Sequence, residues 1–79
     1  MIEESSLLPS GYGYVPGATY RIGYTINDSA MRGRKVRYRG DYRWMGTNRM
    51  AVVVLLRVGT YGAVEEDEYL VQPHIIVKV

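Results

Sequence analysis

The stretch Lys35-Val36-Arg37-Tyr38-Arg39-Gly40-Asp41-Tyr42-Arg43-Trp44 alternates without a break. Val36, Tyr38, Gly40, Tyr42 and Trp44 take the even positions. Lys35, Arg37, Arg39, Asp41 and Arg43 take the odd ones. Side chains of a strand point to opposite faces with a period of two, so the pattern predicts a long strand with an aromatic buried face and a basic outer face. In this register Trp44 is a core residue against the strand that follows. A hairpin turn at Gly40-Asp41 would set Tyr38 opposite Arg43 and mix apolar with charged side chains on each face. The continuous strand is therefore preferred, with Gly40 marking a bulge or bend.

The flanking sequence supplies partners for the buried face. Tyr20, Ile22, Tyr24 and Ile26 alternate as a first strand, which Asn27-Asp28-Ser29 ends. Gly46-Thr47-Asn48-Arg49 reads as a hairpin loop. Met50 to Leu56 is apolar on both faces and β-branched at its centre, so it predicts a central strand covered on both sides. Gly59-Thr60-Tyr61-Gly62 is a second turn. Ala63-Val64 resumes a strand, Glu65-Glu66-Asp67-Glu68 reads as an exposed acidic turn, and Tyr69 to Gln72 is extended. Pro73 interrupts, and Ile75, Val77 and Val79 alternate as a closing strand. Residues 1–19 are punctuated by glycine and proline and read as an N-terminal arm or loop, leaving 20–79 as a single small β-domain. Five or six short strands without a helical period predict an all-β fold: a curled antiparallel barrel, SH3-like in outline, preceded by an extended arm.

Composition narrows the chemistry. The 79 residues contain no cysteine and one histidine, His74, so neither a disulfide framework nor a Cys/His zinc site is expected. The longest apolar run is far short of a bilayer span, and the acidic start is no secretory signal; a soluble, cytoplasmic protein is expected, with no membrane partner. His74 has no neighbouring nucleophile or orienting group, so catalysis, a cofactor and a small-molecule substrate are not expected. The acids at 65–68 are consecutive and lack the turning glycine of a calcium loop, so they read as a solvated charged segment. All aromatic side chains are tyrosine, eight in number, or the single tryptophan, and each has a polar tip suited to interfaces.

Charge is segregated along the chain. Residues 1–31 and 50–79 each sum to −2, while 32–49 sum to +6. Arg32, Arg34, Lys35, Arg37, Arg39, Arg43 and Arg49 form the basic middle and are candidate contacts to nucleic acid, with Tyr12, Tyr14 and Tyr61 as candidate stacking residues. A DNA- or RNA-binding module is the first expectation. Against it, the predicted strand separates its aromatics from its cations, whereas nucleic-acid platforms mix them. The alternative is a protein-interaction or assembly module that uses strand 50–56 and the tail residues Ile75, Ile76, Val77 and Val79, including self-association through an edge strand.

Overall fold

The computed structural model describes residues 2–24, 29–46 and 48–78. They form one five-stranded antiparallel sheet: β1 (Thr19–Ile22), β2 (Lys35–Trp44), β3 (Asn48–Gly59), β4 (Gly62–Val71) and β5 (Ile76–Lys78), in the order β4-β3-β2-β1-β5. Glu4–Ser6 and Pro73–Ile75 each make a single 3₁₀ turn, and no α-helix occurs among the described residues. The all-β antiparallel expectation holds. The sheet is not closed into the expected barrel, since the edge strands β4 and β5 share no ladder. No helix of the described residues is long and apolar enough to cross a membrane.

The inner face of the sheet carries the core. Tyr20, Ile22, Val36, Tyr38, Ala51, Val53, Leu55, Val71, Ile75 and Ile76 form one buried cluster with Met31, and Tyr14 and Ala18 of the arm pack against it. Tyr14, Tyr20 and Tyr38 meet at ring separations of 5.1–6.2 Å in tilted and edge-on pairs, the geometries favoured by aromatic quadrupoles. β3 is buried from Ala51 to Leu56, so the expected central strand is present and covered on both faces.

Three sequence expectations change. β1 ends at Ile22; Tyr24 is exposed beyond it, and Ile26 lies outside the described residues. The acids at 65–68 do not form a turn but lie within β4, which runs without a break from Gly62 to Val71. The third change decides the surface. β2 pairs Tyr38 with Val53 but Gly40 with Val52, so Arg39 is an extra residue and the register slips by one. A one-residue slip moves every following side chain to the other face. Asp41 therefore turns inward opposite Ala51, while Tyr42 and Trp44 leave the core side. Trp44 is 47% exposed, so the expectation of a buried tryptophan is overturned. Gly40 enforces the slip. Its φ of 153° lies in a region that favours glycine, and a Cβ there would stand 3.1 Å from Cβ of Leu7.

Asp41 holds the bulge in place. It is fully buried; its Oδ1 accepts from the Tyr38 hydroxyl at 2.5 Å, and its Oδ2 accepts from the Gly11 amide and Arg49 Nε, each at 2.9 Å. Removing the carboxylate strands the buried Tyr38 hydroxyl and unties Gly11 and Arg49, both exposed. Asp41→Ala is expected to lower stability in urea unfolding by about 2–3 kcal/mol, the upper part of the range for leaving a buried donor unsatisfied. Trp44→Ala, at an exposed position, is expected to cost about 1 kcal/mol or less. The reverse ranking would refute the bulged register.

Candidate functional site

The outer face of β2 was the candidate nucleic-acid surface, and the structure brings it together with the acids of β4 across β3. Arg34 pairs with Glu66 at 2.9 Å, Arg37 with Glu65 at 2.5 Å, and Arg39 with Glu68. A second bulge makes this geometry. β3 pairs Val54 with Glu68 and Leu56 with Glu65, so one β3 residue faces two on β4. Glu65 and Glu68 thereby share the outer face, which strict alternation would forbid. The guanidinium groups reach over Val54 and Leu56, whose side chains are buried beneath them. The basic middle of the sequence is thus matched internally by its acidic end.

The innermost pair also secures the arm. Glu68 Oε1 accepts from the Ile2 amide at 2.7 Å, and Arg39 donates to the Ile2 carbonyl at 2.8 Å as well as to Glu68. Burial alone would raise the Glu68 carboxyl; the Ile2 amide and Arg39 outweigh it and hold it below the usual 4.5. Further along, Leu8 and Asp41 exchange backbone hydrogen bonds of 2.7 and 3.0 Å, so the arm covers the β2 edge beyond the end of β1.

The remaining candidates divide. Lys35 is exposed at the start of β2, and Arg32 is exposed in the connection before it. The slip at Arg39 removes Arg43 from the Arg37–Arg39 face and sets it opposite Arg49, whose Nε is bound by Asp41. The expected single row of arginines therefore does not exist. Tyr14 is not available for stacking on a ligand. Its ring packs on Tyr20 and Tyr38, its hydroxyl donates to the carbonyl of Pro73 or Ile76, at 2.8 and 3.0 Å, and burial raises it above the ordinary tyrosine value. Tyr12 and Tyr61 are exposed. Ile75 and Ile76 are buried in the core and Ala51 to Leu56 of β3 are buried as well, which takes them off the exposed surface, while Met50 is half-buried. Val77 is exposed on β5, and Val79 lies outside the described residues.

A surface that the sequence reading did not single out takes their place. At the β2–β3 hairpin end, Trp44, Met45 and Tyr12 are 47%, 78% and 58% exposed. They border a concavity of about 650 Å³ completed by Arg49, Met50 and His74. A larger concavity, about 810 Å³, lies along the acidic segment of β4 beside Ile2, but carboxylates already engaged by arginines line much of it. The signal for the hairpin end was Gly40: a bulge there, taken literally, turns the last aromatics outward. No cluster of three or more His, Asp or Glu side chains able to hold a metal occurs among the described residues.

Comparison with protein families, with curated proteins and with solved structures gives no match.

The Glu68 clamp makes the arm acid-sensitive. Because its folded-state value lies below the unfolded one, the contribution of Glu68 is complete above about pH 4.5 and is lost as pH falls through the folded value. The stability of wild type is expected to decline over that acid window, with the Ile2 amide losing exchange protection first. Glu68→Gln is expected to flatten the decline; parallel wild-type and variant profiles would refute the clamp.

Proposed function

We propose that this chain is a non-enzymatic interaction module that docks a protein through the aromatic end of the β2–β3 hairpin. The observation that carries the reading is the joint exposure of Trp44, Met45 and Tyr12 around one concavity, with Arg49 in its lining and Arg43 across the ladder from Arg49. Tryptophan, tyrosine, methionine and arginine are the residue types enriched at the centres of protein interfaces, where a few of them supply most of the binding energy. Large apolar side chains grouped in this way on a small domain mark a contact surface. The opposite case, a phosphate track along β2, is weakened by the pairing of Arg34, Arg37 and Arg39 with Glu66, Glu65 and Glu68.

Nucleic acid remains the second reading, favoured by one feature: at the hairpin end, aromatic faces and guanidinium groups do adjoin, as single-strand binding requires. The two readings differ in salt dependence and in residues. For a protein partner, capture from extract of the native source is expected to survive about 0.5 M salt, where surface charge is screened over about 4 Å. It is expected to drop at least about thirtyfold in Trp44→Ala/Met45→Ala, and to persist in Arg37→Ala/Arg39→Ala. Anisotropy titrations with labelled single- and double-stranded DNA and RNA at low salt test the other reading. Tight binding there with a steep salt slope, together with capture that salt abolishes, would overturn the protein-docking function.

A further inference from the structure

The concavities of this domain differ in charge. The one along β4 includes Glu65 to Glu68, the one beside Leu7 and Pro16 includes Glu4 and Glu65, and the one at the start of β2 includes Glu66. The concavity at the hairpin end has no carboxylate in its lining among the described residues, and its basic side chains are Arg49 and His74. Arg43 stands directly across the ladder from Arg49. Side chains opposed in this way have Cβ atoms about 5 Å apart, and like charges there are destabilising. Asp41 offsets Arg49 alone, from a fully buried position. Arg34, Arg37 and Arg39 have acids of β4 to face, whereas Arg43 is exposed and joins none of the ion pairs among the described residues.

We propose that the protein docked at the aromatic end presents an acidic segment, whose large apolar side chain enters among Trp44, Met45 and Tyr12 while a neighbouring carboxylate bridges Arg43 and Arg49. The concavity, of about 650 Å³, lies within the range of about 300–1,000 Å³ typical of small-ligand sites, so it takes side chains of one segment rather than the face of a domain. Its walls are set before binding. Tyr12 stacks on Tyr14, which packs against the core, and its amide donates to Ser10 Oγ at 3.2 Å. Arg49 is fixed by Asp41 and by the Pro9 carbonyl. A surface ordered in this way loses less of its contact energy to ordering on binding. A carboxylate between the two guanidinium groups removes their repulsion and adds charge-assisted hydrogen bonds. The apolar anchor supplies most of the affinity. The charges reject basic segments and speed encounter, which agrees with capture that survives salt.

This inference rests on the docking function proposed above, and its test separates the two. The full chain selects from a display library of random short peptides, with Trp44→Ala/Met45→Ala as the counter-selection. Enriched peptides are expected to carry net negative charge and an aromatic or large aliphatic residue. Trp44 is the only tryptophan, so its emission follows the binding of a tryptophan-free enriched peptide directly. Arg43→Glu leaves every ion pair of the described residues intact. It is expected to weaken that peptide about tenfold at about 0.1 M salt and to turn the selection toward basic peptides, a gain that an unfolded variant could not show. Enrichment of neutral or basic peptides by wild type would overturn the acidic partner; if those peptides still required Trp44 and Met45, the docking function would stand. No enrichment over the counter-selection would also overturn the acidic segment, and capture from extract that Trp44→Ala/Met45→Ala leaves unchanged would overturn the docking function as well. Displacement of the enriched peptide by single-stranded DNA or RNA, with a steep salt slope, would assign the surface to nucleic acid and overturn both.

Discussion

A carboxylate buried in a sheet this small needs a full set of donors, and Asp41 has one in the Tyr38 hydroxyl, the Arg49 guanidinium and the Gly11 amide. Each donor comes from a different part of the chain: the same strand, the next strand and the arm. The single inward-turned charge therefore fixes the slip in β2, the start of β3 and the path of the arm together. Burial raises the Tyr38 hydroxyl well above the ordinary tyrosine value, and its bond to Asp41 acts in the same direction, so the hydroxyl keeps its proton as a donor over the physiological range. Together with the Gly40 conformation and the Leu8 bridge, Asp41 turned inward keeps Trp44 on the outward side of the hairpin end.

The two bulges act as a matched set. In β2 the extra residue puts Tyr38 and Asp41 on the inner face; in β4 it puts Glu65 and Glu68 on the outer face. In each case residues three apart come to share a side, which a regular strand does not allow. One bulge builds the polar centre of the core, and the other builds the ion-pair layer over Val54 and Leu56. The outer pairs are exposed and individually worth little, about 0–1 kcal/mol. Their larger effect is on the surface potential, because they neutralise the most basic part of the sequence where it would otherwise face solvent.

Much of the fold was legible from residues. Alternation in Lys35 to Tyr38, the doubly apolar run at 50–56 and the glycines at 59 and 62 pointed to the antiparallel meander. The register of β2 beyond Tyr38 was not legible, because alternation is blind to an inserted residue: a bulge preserves the local pattern while inverting its meaning. The choice between slip and no slip is made by Leu7, Leu8 and Gly11, some thirty residues away, which have no periodic relation to the strand. The same non-local cause hid the site. Trp44 was assigned to the core by a pattern that held from Lys35 to Arg39 and failed from Gly40 on, and the acids of β4 looked like a turn because their partners lie two strands over.

The strand order also distributes the entropy of folding unevenly. β2, β3 and β4 are consecutive and joined by tight turns, so their ladders close short loops. β5 instead joins β1, pairing Tyr20 with Lys78, Arg21 with Val77 and Ile22 with Ile76. That ladder closes most of the chain on three rungs. Loop-closure cost grows with the logarithm of length, and contacts this distant in sequence slow folding. The meander is thus the part that forms from local information. The β1–β5 seam closes the longest loop, and with three rungs it is no wider than the β1–β2 ladder beside it. The contacts that are local in sequence thus lie in β2, β3 and β4, and the contacts most distant in sequence lie where β5 and the arm meet them.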